Sequence, residues 1–228
     1  MRAAFRSALL KGGQNKFFHE SNGKYDARYF RGEIPARQSI AHLTELLAVF
    51  MDLARAGDVK PIVAHGTLIG WWWSRRLLPW DDDVDLLVSY RDLRRLRKWH
   101  GRTQAGRYLL EVNPNHVFWK TLNPTHRVND EPNRIDARFI DKENGLYLDI
   151  TALRPVGGGL LRTKCPHVFA ESSIFPLKTA ELQGIPVYVP ADVEAVLRYE
   201  YGDEVLTRTT FNGYRFDAGD SIWKEVDA

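Results

Sequence analysis

The sequence predicts an α/β (α+β) fold, a small mixed sheet with flanking helices. Three stretches carry that expectation. From Pro35, Ile40, Leu43, Leu47, Phe50 and Ala54 recur at helical spacing and Gly57 supplies a stop, which predicts an amphipathic core helix. Pro61 to Tyr90 reads as a short apolar strand (Ile62 to Ala64), a Gly-Thr turn, a helix and a second strand bearing aspartates. Further on, RIDARFI and GLYLDITAL flank Asp141 to Gly145, a connection of hairpin size that contains Asn-Gly.

The remaining elements follow in order. Residues 1–34 are polar and rich in Tyr and Phe without a helical period, and read as an arm laid over the domain of residues 35–228. Phe17, Phe18, Tyr25 and Tyr29 fit surface packing better than binding. Ser89 to Asp92 fits a capping box for a helix with Leu93 and Leu96 inside. Arg91, Arg94, Arg95, Arg97, Lys98 and Arg102 make that helix basic, by default a solvated face, otherwise one for an anionic surface. RYLLEV and HVFWKTL read as strands, Asn113 to Asn115 as a turn, and NPTHRVNDEPN as a polar loop near substrate. In GLYLDITAL, Leu146, Leu148 and Ile150 face the core while Tyr147, Asp149 and Thr151 face away. Gly157 to Gly159 lack the context of a phosphate loop and read as flexible. Lys164, His167 and Lys178 could reach an anionic substrate, though each fits simple exposure better. GIPVYVP reads as an edge strand because Pro186 and Pro190 limit its ladder. Asp192 caps a helix through Val193, Val196, Leu197 and Tyr199 that Gly202 closes, and Trp223 packs the tail back on the body.

Composition bounds the function. At 228 residues, 44% hydrophobic and 27% charged, the chain is ordinary for a globular domain. A formal charge of +3 is too small to imply nucleic acid. The pI near 8.9 is compatible with small anionic ligands. A single cysteine, Cys165, excludes an internal disulfide and a cysteine-cluster zinc site. No 18-residue stretch is apolar, and MRAAFRSALLKGG has too short an apolar segment for a signal peptide.

The chemistry concentrates in HGTLIGWWWSRRLLPWDDDVD. On a strand Asp81, Asp83 and Asp85 would share a face, with Asp83 and Asp85 about 7 Å apart and repelling by roughly 2 kcal/mol at an effective dielectric of about 20. Such carboxylates are kept together when a cation sits among them, and Mg²⁺ takes oxygen ligands alongside substrate phosphates. Gly66 admits close backbone approach, Thr67 is placed to cap the helix, and a helix N-terminus suits phosphate. His65 is either a structural strand-end histidine or a substrate contact. Arg75 either complements the helix C-terminus or clamps phosphates. Trp71 to Trp73 span about 200° of helix, so one is core and another is free to line a pocket. Asp149 is a carboxylate in an apolar strand, where an unpaired charge is expensive. Asp136 is a weaker rival for the same role, with Arg138 as a salt-bridge partner.

This stretch resembles the signature of the LicD/fukutin family, a branch of the nucleotidyltransferase fold: a Gly-Thr turn, a helix, Pro-Trp-Asp, then two aspartates one residue apart. Fungal members related to regulators of mannosylphosphate transfer are the most similar. They share the Trp-rich helix, IDARFIDKENGLYLDITAL and GIPVYVP, so the resemblance runs from about His19 to the C-terminus. Bacterial members often carry arginine where this chain has Trp73. The resemblance implies metal-dependent transfer of a phospho-sugar or phospho-alcohol from a nucleotide-diphospho donor, of CDP-alcohol or GDP-mannose type, to a glycan hydroxyl. It implies Asp83, Asp85 and Asp149 as catalytic and Mg²⁺- or Mn²⁺-binding residues, with Gly66, Thr67, His65 and Arg75 toward substrate. The alternative is a non-catalytic regulator of mannosylphosphate transfer with the same fold. Nucleic acid is not expected as a partner. A Golgi or secretory setting is expected if an N-terminal anchor precedes the chain, and a cytoplasmic one otherwise.

Overall fold

A computed structural model describes residues 16–117, 130, 133–165 and 167–226. The expected strand HVFWKTL and most of the polar loop after it lie outside the described residues. The arm forms a two-stranded hairpin, β1 (Glu20–Ser21) and β2 (Tyr25–Asp26). Tyr25 is fully buried, bridges to Leu146 and donates no surface cover at all; its hydroxyl accepts from the Ile34 N–H at 2.9 Å. Helix α1 (Ala36–Ala56) follows Pro35, its apolar stripe of Leu43, Leu46, Leu47, Phe50 and Ala54 buried. Gly57 ends it for a packing reason. Its φ is −98°, and a Cβ there would stand 1.7 Å from the Trp99 ring.

Strand β3 (Ile62–Val63) leads into α2 (His65–Ser74), and β4 (Val84–Ser89) returns antiparallel to β3. Ser89 Oγ caps α3 (Tyr90–Leu96) by accepting from Asp92 N–H at 3.0 Å. Next come β5 (Thr103–Gln104), β6 (Tyr108–Val112), β7 (Ala137–Asp141) and β8 (Tyr147–Gly157). β7 and β8 pair antiparallel, as the sequence predicts. The chain continues through β9 (Leu160–Arg162), β10 (Val168–Ala170), the short α4 (Glu171–Ile174), β11 (Lys178–Leu182), β12 (Ile185–Val189) and α5 (Val193–Tyr201). A separate three-stranded sheet of β13 (Thr210–Phe211), β14 (Tyr214–Asp217) and β15 (Ile222–Glu225) ends the described chain.

The main sheet is larger than the small one expected. Its path runs β11-β12-β3-β4-β8-β7-β6-β5, with β9 and β10 attached to β8. It is mixed, because β12–β3 and β4–β8 are parallel and the other pairs antiparallel. Helices flank it, so the fold class is α/β (α+β). β12 is not an edge strand, contrary to the proline argument. β11 covers one side, and on the other β3 is only two residues long and meets β12 at Tyr188 alone. Pro186 lies outside that short overlap, so its missing N–H costs the β3 ladder nothing. The C-terminal helix is capped by Asp192 and closed by Gly202 at φ +83°. Trp223 is buried against Trp73, Trp80 and Phe216. No helix among the described residues is long and apolar enough to cross a membrane.

Candidate metal and phosphate site

The aspartates lie at the start of β4. That strand begins at Val84, so Asp81, Asp82 and Asp83 belong to an extended approach rather than to the strand. Strand alternation therefore does not sort them. Instead carboxylate oxygens of all three lie within 4.8 Å of one another, Asp81 buried and the other two half-buried. The Asp81 N–H donates to Leu78 O at 3.0 Å, the turn that folds Pro-Trp-Asp toward the sheet.

Asp85 is inside β4, and its Cα partner on the parallel neighbour β8 is Asp149. Two acidic residues from segments more than 60 residues apart thus sit side by side, on strands about 4.8 Å apart. Asp83 is close enough to Asp149 for its charge to act there. Burial pushes the Asp149 carboxyl up, the Arg138 guanidinium opposes this, and Asp83 and Glu20 add to it. Asp149 is also already engaged. Arg138, its cross-strand neighbour on β7, donates from Nε to Oδ1 at 2.6 Å and from Nη2 to Oδ2 at 3.3 Å. The close group of ligand atoms is accordingly Asp81–Asp82–Asp83, without Asp85 or Asp149.

Helix α2 is tied to this corner by Thr67. The helix starts at His65 with Ala64 as N-cap, and no side chain caps it. Thr67 therefore does not cap. Buried in the first turn, its Oγ1 accepts from the Asp85 N–H at 3.0 Å, while Ala64 N–H donates to Asp85 O at 3.1 Å. Gly66 is buried beside it. The glycine with a steric reason is Gly70, where a Cβ would meet Arg76 O at 2.3 Å. The chain folds back over the helix there.

Arg75 serves the C-terminal end. It holds φ +55°, lies 3.8 Å over the Trp71 ring, and donates from Nη1 to Trp71 O at 2.6 Å. It stands about 12 Å along the axis from Thr67. It lines a cleft with Ser74, Arg76, Gln183 and Gly184, about 480 Å³ in volume. Trp73 packs on Phe216 and Trp223 and donates to Val205 O at 2.9 Å, which explains an aromatic residue at that position. His65 turns to α5, its Nδ1 2.8 Å from Glu200 Oε1.

Sequence reasoning missed how the arm reaches the site. Glu20 accepts from Arg138 Nη2 at 2.6 Å, and Lys24 Nζ lies 3.5 Å from Asp82. It also mispaired Asp136, whose partners are Arg154 and Lys164 rather than Arg138. Lys164 is buried there, not offered to substrate.

Two aspartates in parallel register, beside a helix N-terminus that opens after Ala64, repeat the order the motif implies. The profile described as "LicD/FKTN/FKRP, nucleotidyltransferase domain" matches residues 58–192. The chain belongs to the LicD family. Two Saccharomyces cerevisiae proteins are similar to this LicD chain. Mannosyltransferase regulator 4 is 32% identical over 161 residues, covering 61% of this chain and 13% of its own length. Mannosyltransferase regulator 14 is 33% identical over 121 residues, covering 50% and 12%. An uncharacterized protein of Rickettsia prowazekii is 25% identical over 161 residues, covering 70% and 53%. The chain therefore spans a small fraction of the yeast proteins and about half of the rickettsial one.

Proposed function

We propose that this chain is a LicD-type phosphotransferase acting in mannosylphosphate or related glycan modification. A phospho-sugar or phospho-alcohol would pass from a nucleotide-diphospho donor, of GDP-mannose or CDP-alcohol type, to a glycan hydroxyl. The observation that carries this reading is the parallel register of Asp85 and Asp149, with Asp83 two residues before Asp85. The donor set fits a hard divalent cation. It is all carboxylate, and burial raises the Asp149 carboxyl against Arg138, with the charges of Asp83 and Glu20 adding to the rise. Asp83, Asp85 and Asp149 would hold Mg²⁺ or Mn²⁺, with Asp81 and Asp82 adjoining. The ion would supply charge neutralisation and orientation of phosphate oxygens.

The chain's own groups do the rest. The uncapped first turn of α2 at His65, Gly66 and Thr67 offers N–H groups and a positive dipole end to a phosphate. Thr67 holds that turn against β4. Arg138 fixes the Asp149 carboxylate, and Asp149 would accept the proton of the attacking hydroxyl as the new P–O bond forms and the P–O bond to the nucleoside monophosphate breaks. Arg75 belongs to this proposal as a contact for the outer part of the donor along its cleft. A nucleic acid partner is not proposed. The setting is the secretory lumen if the chain is anchored there.

The second reading is a non-catalytic regulator on the same fold. The names of the yeast relatives favour it, and so does Arg138, which already engages the Asp149 carboxylate. One experiment separates the two: thermal shift with nucleotide-diphospho sugars and alcohols, with and without Mg²⁺ or Mn²⁺. Metal-dependent stabilisation by one donor, lost in Asp83→Asn, supports the transferase. No response to any donor supports the regulator.

A further inference from the structure

A second cluster lies on the other side of His65, built from three separate elements. His65 opens α2, His167 precedes β10, and Glu200 is in the last turn of α5. Each offers one ligand atom, and the three atoms lie within 4.8 Å of one another. His65 Nδ1 is 2.8 Å and His167 Nδ1 3.8 Å from the same oxygen, Glu200 Oε1. The Glu200 side chain is only 2% exposed. Both its oxygens are buried without a hydrogen bond among the described residues, so the 2.8 Å approach is a close contact without hydrogen-bond direction. A buried carboxylate in that state is costly unless a cation balances it.

The ring of His167 is set among other rings. The His167 ring is stacked on Phe169 at 6.0 Å, meets Tyr199 edge-on at 6.3 Å, and lies tilted to the His65 ring at 5.3 Å. Burial holds His167 below the ordinary histidine range, with Glu200 opposing and His65 and Arg134 adding to it. Neutral imidazole is the form that ligates metals. The spacing also fits. Ligands about 2.0–2.1 Å from a tetrahedral ion stand roughly 3.4 Å apart, between the two distances seen here. His65 holds φ +48°, a left-handed backbone for a non-glycine residue, and its ring reaches α5 at Glu200.

We propose that His65, His167 and Glu200 form a second metal centre, which takes Zn²⁺ or a similar borderline divalent ion. Its two imidazoles and one carboxylate select against Mg²⁺, which prefers oxygen, and so distinguish it from the aspartate site. Three protein ligands leave a fourth position for water or a substrate oxygen. The ion bolts the first turn of α2 to α5 and β10, so it sets the helix end that stands beside Asp85. This inference is independent of the transferase reading.

The test uses the 228-residue chain, produced without a histidine tag and stripped with a chelator. Zinc is added, excess is removed by desalting, and bound metal is measured by elemental analysis. Co²⁺ is then used to read the coordination sphere by visible absorption. The expected result is one zinc per chain, a four-coordinate Co²⁺ spectrum and a zinc-dependent rise in Tm. All three are lost in Glu200→Gln and in His167→Gln, and all three persist in Asp83→Asn. Glu200→Gln keeps the side-chain shape and removes the buried charge, so it decides the matter if His167→Gln does not fold. Wild-type chain that retains no zinc, or a Glu200→Gln chain that retains it, overturns the proposal. Loss of zinc in Asp83→Asn overturns it as well, because the ion would then belong to the aspartates.

Discussion

Arg138 and Asp149 face each other across β7 and β8, Nε to Oδ1 at 2.6 Å, and the arginine is 1% exposed. The guanidinium is enclosed by more than its ion pair. It lies 3.7 Å from the Tyr147 ring centre and 4.9 Å from that of Phe18, and it reaches Glu20 in the arm. One side chain thereby joins the N-terminal arm, the sheet and the acidic site. Arg138→Met should destabilise the chain by about 3 kcal/mol, the cost of leaving a buried charge without its partner. Urea unfolding measures it. Asp149→Asn added to Arg138→Met should recover at least half of the loss, and a double variant no better than the single one would show that packing, not charge, is what Arg138 supplies.

Asp83 acts on Asp149 in the opposite sense. Its charge is one of those that raise the Asp149 carboxyl, so Asp83→Asn should raise stability in metal-free buffer, by about 1 kcal/mol. The same variant should lose stabilisation by Mg²⁺ or Mn²⁺. Melting curves in chelator and in metal check both halves. A lower Tm in chelator would mean that Asp83 is held by favourable partners rather than strained by repulsion.

The fold was legible where side-chain period carries it. The stripe from Ile40 to Ala54 formed as expected, because burial of one face decides it. Strand β8, by contrast, is buried on both faces at Tyr147, Leu148, Ile150 and Thr151, since Arg138 packs on the Tyr147 ring on the side expected to face away. The start of β4 was not legible, since alternating aspartates read alike in a strand and in an extended turn. Thr67 was placed in the right turn but in the wrong bond, because a hydroxyl in a first turn looks like a cap until β4 is seen beside it. The third sheet had a readable signal in Asn212-Gly213 between Thr-Phe and Tyr-Arg-Phe, with both residues at positive φ in the structure. Glu200 and His167 had none. Each is a single residue whose meaning comes only from contacts across the fold.

Acid should unfold the chain in two stages. His116 is buried and pushed down to about 4 by burial, against Asp136 and with Arg154, Lys164 and Arg97 adding. A histidine with a lowered folded pKa takes up protons first in the unfolded state, so stability falls between about pH 6.5 and pH 4. Asp136 follows. Burial raises its carboxyl, but Arg154 and Lys164 outweigh this and hold it below the ordinary range. Its contribution is present above the unfolded carboxylate pKa of about 3.9 and is lost as pH falls through the depressed value. His116→Gln should flatten the first stage and leave the second. Urea midpoints from pH 7 to pH 3 give the comparison, and an unchanged upper stage would exclude His116 as its source.

Two glycines should respond differently to alanine. At Gly57 the added Cβ meets the far end of the Trp99 ring, a half-buried side chain rather than backbone. At Gly70 it meets the Arg76 carbonyl oxygen at 2.3 Å and Leu78 N at 3.1 Å, both backbone. Alanine gains about 1 kcal/mol in helix propensity over glycine, which offsets only a small clash. Gly70→Ala should therefore cost about 2–3 kcal/mol and Gly57→Ala about 1 kcal/mol or less. Equal costs would mean that the segment from Arg76 to Leu78 yields as readily as a side chain.

Thr67 tests whether the helix and the acidic strand are set by one hydrogen bond. Its Oγ1 is the acceptor for the Asp85 N–H at 3.0 Å, and the residue is 1% exposed. Valine keeps the shape and removes the acceptor, leaving a buried N–H unsatisfied at a cost of about 1–3 kcal/mol. Serine keeps the acceptor and removes a methyl, at about 1 kcal/mol. If the bond holds α2 in register with Asp85, Thr67→Val should also weaken metal-dependent donor binding well beyond its effect on stability, and Thr67→Ser should not. Titration of the donor against both variants, at a temperature where each is fully folded, separates the two effects. Equal binding by the valine and serine variants would show that β4 holds Asp85 in place without help from the helix.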